Sequence, residues 1–160
     1  MSRRLTLVLC SLTCAALLLA GCHRGLVRRV SEPAASLQQV SVGADGQWQV
    51  QLRLQNYSSI PMRYDTVALA VTAGGVEAGT LKAAPGFSIG PESADVVEVR
   101  LSPSADARMA AANALAGGIS LEYALKGSVQ ATPEDEKQRD FQIDMHSTLS
   151  PAPGLAGVLR

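Results

Sequence analysis

Between Ala34 and Ser150 apolar residues recur at nearly every second position, and this period constrains the chain more than any other feature. Trp48, Val50, Leu52 and Leu54 alternate with Gln49, Gln51, Arg53 and Gln55. Val97, Val99 and Leu101 alternate with Glu98 and Arg100, and Phe141, Ile143 and Met145 with Gln142, Asp144 and His146. Ile119, Leu121, Tyr123 and Leu125 continue the theme. Side chains of a strand point to opposite faces in turn, so each run describes a ribbon with one dry and one wet face. Helical packing needs a period near 3.6 and is excluded for these runs. The phase slips between Leu37 and Val40. It slips again between Met62-Tyr64 and Val67-Leu69-Val71, which predicts a β-bulge near Asp65.

Turn residues punctuate the ribbons. Gly43 to Gly46 and Gly74-Gly75 close hairpins, and Thr132 to Lys137 forms a polar loop. One stretch lacks alternation: Asp106 to Leu115 is alanine-rich. It follows the cap candidates Ser102-Pro103-Ser104 and precedes Gly117-Gly118, so it predicts a short helix across one end. The expected fold is all-β, an antiparallel β-sandwich over residues 34–150 with one short connecting helix. Trp48, Tyr64, Phe87, Tyr123 and Phe141 are its expected bulky core members. Residues 151–160 carry two prolines and two glycines and read as a flexible tail.

The amino terminus is of another kind. Arg3 and Arg4 precede an apolar run from Leu5 to Ala20, the order of a secretory signal and short for a membrane span. Leu19-Ala20-Gly21-Cys22 resembles the lipobox of bacterial lipoproteins. That resemblance implies a signal peptide over residues 1–21, diacylglycerol on the Cys22 thiol, cleavage before Cys22 and acylation of its new amine. Several acyl chains would anchor the protein firmly. His23 follows the cysteine where aspartate would resemble an inner-membrane retention signal. The implied location is therefore the outer membrane, facing the periplasm. Residues 22–33 read as the lipidated cysteine and a tether, whose Arg24, Arg28 and Arg29 could meet anionic headgroups or simply be solvated.

Processing changes the composition. Lys plus Arg and Asp plus Glu each number 14 in the whole chain. Arg3 and Arg4 leave with the signal, so 12 basic groups face 14 acidic ones. Neither balance is the basic excess of a nucleic-acid binder, and no nucleic-acid partner is expected. Cys10 and Cys14 leave as well, so the domain is held by its core without disulfides.

The body resembles LEA type 2 domains, also called water-stress and hypersensitive-response (WHy) domains. Gln49 to Asn56 followed by Tyr57-Ser58-Ser59-Ile60-Pro61-Met62 is similar to their signature of apolar strand, Asn, short loop, Pro and apolar residue. Tyr57 stands where the fuller Asn-Pro-Asn form has proline. Tyr64 to Ala70, Val76 to Thr80, Phe87 to Pro91, Val96 to Leu101, Tyr123 to Gly127 and Phe141 to Met145 resemble the later strands, across residues 32–149. The resemblance implies an immunoglobulin/fibronectin III-like antiparallel β-sandwich, a link to desiccation and stress tolerance, and no catalytic residues. Asn56 and Pro61 read as structural: asparagine bonds backbone at a strand end, and proline blocks further pairing.

Chemical motifs are sparse. Gly86-Phe87-Ser88-Ile89-Gly90 matches the nucleophile elbow, but Pro91 and a strand follow where a helix is needed. Asp144 and His146 share a face, yet one histidine with carboxylates makes a poor metal set. Glu134-Asp135-Glu136 lacks the ligand spacing of a calcium loop. Asn56-Tyr57-Ser58 is a formal glycosylation sequon. The chain thus reads as non-enzymatic, without cofactor or metal. The function expected is a membrane-anchored periplasmic module of desiccation tolerance or envelope protection. The alternatives are a carrier or docking protein for a lipid or apolar ligand, and an accessory subunit of an envelope assembly.

Overall fold

The computed structural model describes residues 28–160; the signal and the lipobox residues Leu19, Ala20, Gly21 and Cys22 lie outside them. Strands β1 (Ala34–Val42), β2 (Trp48–Gln55), β3 (Met62–Ala73), β4 (Val76–Ala83), β5 (Phe87–Ile89) and β6 (Ala94–Leu101) come first. Helix α1 (Ala105–Gly117) follows, then β7 (Leu121–Pro133), β8 (Arg139–Leu149) and β9 (Val158–Leu159). They form two antiparallel sheets: β6-β2-β1-β9, and β4-β3-β7-β8 with β5 also on β3. This is the expected all-β sandwich with one connecting helix.

Alternation places one row of each strand between the sheets. Trp48, Leu52, Leu54, Met62, Tyr64, Leu69, Leu81 and Leu125 are fully buried there, each such side chain contributing roughly 1.5–3 kcal/mol. The Trp48 Nε1 lies inside without a hydrogen-bond partner. Phe87 differs from expectation: on the three-residue β5 it packs against the core but stays half-buried.

The phase changes are bulges. The β3–β7 register skips Asp65 between Tyr64 and Thr66, and the β1–β2 register skips Gln38. Each extra residue exchanges the faces, so Tyr64 and Val67 both point inward. The Gly74-Gly75 turn has φ of 59° and 81°, the left-handed pair of a tight hairpin. Gly127 is required for a different reason: with φ of 153°, a Cβ there would lie 2.2 Å from the Ala68 carbonyl oxygen.

Two tyrosines tie the sheets together. The Tyr64 hydroxyl donates to the Gln55 carbonyl at 3.0 Å, and the Tyr123 hydroxyl accepts from the Leu37 amide at 3.1 Å. Burial pushes the Tyr64 hydroxyl well above the ordinary tyrosine range, so it remains a neutral donor.

At one end α1 crosses the sandwich. Ser104 caps it, accepting from the Ala107 amide at 3.2 Å and donating to the Glu77 carbonyl at 2.6 Å. Gly118, left-handed at φ 63°, ends it. The buried stripe Ala107, Ala111 and Ala114 has no bulk, so the helix sits close against β4, β3 and β7. Ile119, expected in phase with Leu121, lies between this cap and the start of β7 and is 60% exposed.

Two boundary readings are corrected. The tail is not loose: β9 pairs with Val40 and Ser41, Leu159 is fully buried, and Arg160 and Ser150 exchange backbone bonds. A buried leucine and a sheet edge in need of partners outweigh the prolines and glycines there. Nor are residues 28–33 a free linker, since they dock on the loop after β2.

Candidate functional site

The family-motif residues Asn56 and Pro61 fall together at the end of the sandwich opposite α1. Here three loops meet: 56–61, 90–93 and 134–138. Loops cannot satisfy their own backbone groups as helices do, and buried ones need partners.

Asn56 supplies them. It is fully buried. Its Nδ2 donates toward the carbonyls of Ile60 at 2.9 Å, Ile89 at 3.1 Å and Gly90 at 2.9 Å. Its Oδ1 accepts from the Ser58 amide at 2.9 Å, and its own amide donates to the Ser93 carbonyl at 2.8 Å. Two N–H bonds shared among three carbonyls exhaust the amide, so no donor remains for a ligand. The same burial removes the sequon from any glycosyl donor. Pro61 immediately precedes β3, and its carbonyl accepts from the Glu134 amide at 3.0 Å, tying in the third loop.

Residues 28–31 lie over this latch. The Arg29 amide donates to Ser59 Oγ at 2.8 Å, and the Ser59 amide donates back to the Arg29 carbonyl at 3.0 Å. The Ser31 amide reaches Ser58 Oγ at 3.0 Å, and Val30 packs on the core. Arg28 donates to the Glu134 carbonyl at 2.6 Å and pairs with Asp135 at 3.5 Å, while Arg29 pairs with Glu92 at 3.4 Å. Both arginines are therefore engaged by the protein itself. No periodicity or motif in the sequence announced this docking, because its partners lie up to 107 positions away.

Asp65, the bulge residue, joins β3 to the third loop. It accepts from Thr132 Oγ1 at 2.7 Å and Gln138 Nε2 at 3.0 Å, and lies 3.4 Å from Arg63 Nε. The bonds from Gln138 and, next, Thr132 hold its carboxyl below the usual range; desolvation opposes them, and the Arg63 charge adds the smallest lowering.

The remaining chemical candidates are scattered. Ser88 pairs with Arg63 in register, whereas His146 lies in the row of Thr72 and Ala124. Nine residues along β3 separate those rows, about 30 Å, so the two cannot share a reaction. His146 is exposed and 3.4 Å from Asp144, which also pairs with Lys126 at 3.3 Å. Among the described residues no three metal-ligating side chains cluster. In the acidic loop Glu136 pairs with Arg139.

Open hollows mark the surface elsewhere. One of about 430 Å³ lies between the start of β1 and β8, with Pro33, Ala35, Ile143 and Met145 beside Arg53 and Asp144. Another of about 560 Å³ sits on the outer face of the second sheet among Thr72, Ala124, His146 and Thr148. Among the described residues no helix is long and apolar enough to cross a membrane.

The late embryogenesis abundant protein family model (LEA type 2) matches residues 51–145. No curated protein matches the chain. Among solved structures it is similar to the crystal structure of a protein from Archaeoglobus fulgidus, with 15% identity and a TM-score of 0.42 over 78% of this chain and 98% of that one. It is also similar to the solution structure of a protein from Arabidopsis thaliana, with 13% identity and a TM-score of 0.49 over 78% and 82%.

Proposed function

The chain belongs to the late embryogenesis abundant family of LEA type 2, and from that membership we propose that it is a non-enzymatic protective module of the bacterial cell envelope. In this reading Cys22 carries the lipid anchor, the protein faces the periplasm from the outer membrane, and its task lies in tolerance of drying and related stress. The observation that carries the reading is the family match from β2 to β8, most of the sandwich. The separation of Ser88 from His146 and the exhausted amide of Asn56 argue in the same direction, because neither leaves a reactive centre. The lipobox sequence before Cys22 supports the anchor.

A deletion strain tests the task. It is expected to survive desiccation and osmotic shock less well than its parent, and to be rescued by the intact gene. Unchanged survival under drying, osmotic shock and freezing overturns the reading. Mass spectrometry of the amino-terminal peptide tests the anchor, and a Cys22→Ser chain is expected in the soluble fraction.

The hollow between β1 and β8 favours a second reading, carriage of a lipid or other apolar ligand, since Ile143 and Met145 line it where the sheets part. Native mass spectrometry of delipidated protein would then show a bound small molecule. Repeatedly clean spectra dismiss it.

A further inference from the structure

We propose that residues 28–33 are a strap that fixes how the sandwich stands on the membrane, with the Asn56 end as its lipid-facing surface and α1 directed away. The inference rests on the lipid anchor at Cys22 proposed above.

Length sets the first limit. Six Cα steps join Cys22 to Arg28, so they span at most about 20 Å whatever their conformation. Beyond Arg28 the chain has no slack to give, because it is bound. Arg29 and Ser59 exchange backbone-directed bonds, Ser31 holds Ser58, and Arg28 holds the Glu134 carbonyl. The attachment point is therefore the loop end itself, not a distant residue on a free linker. The 13-residue β7 runs the length of the sandwich, about 43 Å, to the α1 end.

The surface chemistry agrees with lipid at that end. Tyr57 stands 51% exposed on the loop that receives the strap, and tyrosine favours the headgroup zone, with its ring dry and hydroxyl wet. Glu92 and Asp135, which an anionic bilayer would repel, are paired with the strap's own Arg29 and Arg28. The outer face of the first sheet, which would meet lipid if the molecule lay flat, sets Gln49, Gln51, Arg53, Glu98 and Arg100 around the half-buried Val96 and Val158, so its apolar area is small and broken by charge. The exposed apolar residues Met109, Ile119 and Leu155, at 63%, 60% and 47%, are at the α1 end. The strap withholds them from the bilayer.

The mature chain suits a direct test, since Cys22 is its only cysteine. Tyr57→Cys or Met109→Cys provides a single thiol for an environment-sensitive fluorophore. Each acylated protein is placed in phosphatidylethanolamine–phosphatidylglycerol vesicles containing lipid with a headgroup quencher. Expected is a severalfold loss of emission at position 57 and little change at 109. A Gly/Ser insert of about 30 residues between His23 and Arg24, with a mean span of about 30 Å, is expected to erase the difference. Equal quenching at both positions, stronger quenching at 109, or a difference that survives the insert overturns the orientation while leaving the anchor intact. An amino-terminal peptide without diacylglycerol overturns the anchor and the orientation together.

Discussion

The two ends of the sandwich are closed by opposite means. At the α1 end a helix satisfies its own backbone, so it can close the core with apolar side chains alone: Ala107, Ala111 and Ala114 are buried, Leu115 packs beside them, and none brings a polar atom. At the other end no helix is available. Three loops meet there, and the polar side chains buried among the described residues, Asn56 and Ser58, are both found there. The lesson is one of backbone accounting: an end made of loops must import donors, and one asparagine imports enough for three carbonyls. The loop end is also where the strap docks, so polar closure serves attachment as well.

Breaking the polar end should cost most. Asn56→Ala strands the carbonyls of Ile60, Ile89 and Gly90 and the Ser58 amide, and buried groups left unpaired cost about 1–3 kcal/mol each before water recovers some. A net loss of about 3 kcal/mol is expected in urea unfolding. Asn56→Asp at neutral pH should be at least as damaging, because an acceptor would then face three acceptors. At the α1 end, Ser104→Ala removes the cap and the bond to Glu77, and should cost about 1 kcal/mol. Equal losses at Asn56 and Ser104 would break the contrast between the ends.

The sequence was legible where one residue decides one local geometry. The alternation in Trp48–Gln55 placed β2, because a strand's faces follow from period two alone. The change of phase around Asp65 located a bulge, since an odd residue must exchange the faces. Asn56 and Pro61 stood out as a pair without any contact being known. What stayed hidden depends on distant partners. Arg28 and Arg29 look like linker arginines until the loops at Glu134 and Glu92 arrive. Val158-Leu159 looks like a loose end until the open edge of β1 claims it. Ile119 keeps the phase of Leu121, but a left-handed Gly118 intervenes and leaves it outside.

The smallest expected effect is the most specific to the loop end. Asp65 lies on the bulge and binds the end of β7 through Thr132 and the third loop through Gln138, and it prefers its charged form when folded. A carboxyl whose folded pKa is depressed contributes stability that is fully present above the unfolded pKa, about 3.9. That contribution disappears as pH falls through the lower folded value. Asp65→Asn should therefore cost less than about 1 kcal/mol at neutral pH, since its partner Arg63 is exposed and screened. The gap between variant and parent should close as the solution is acidified below about pH 4. Amide exchange at Thr132 and Gln138 should report the change, and amides of α1 should not, because α1 makes no bond to Asp65. A gap that stays constant with pH, or that appears equally in α1, would mean that the charge of Asp65 does not hold the loop and that the two ends respond as one.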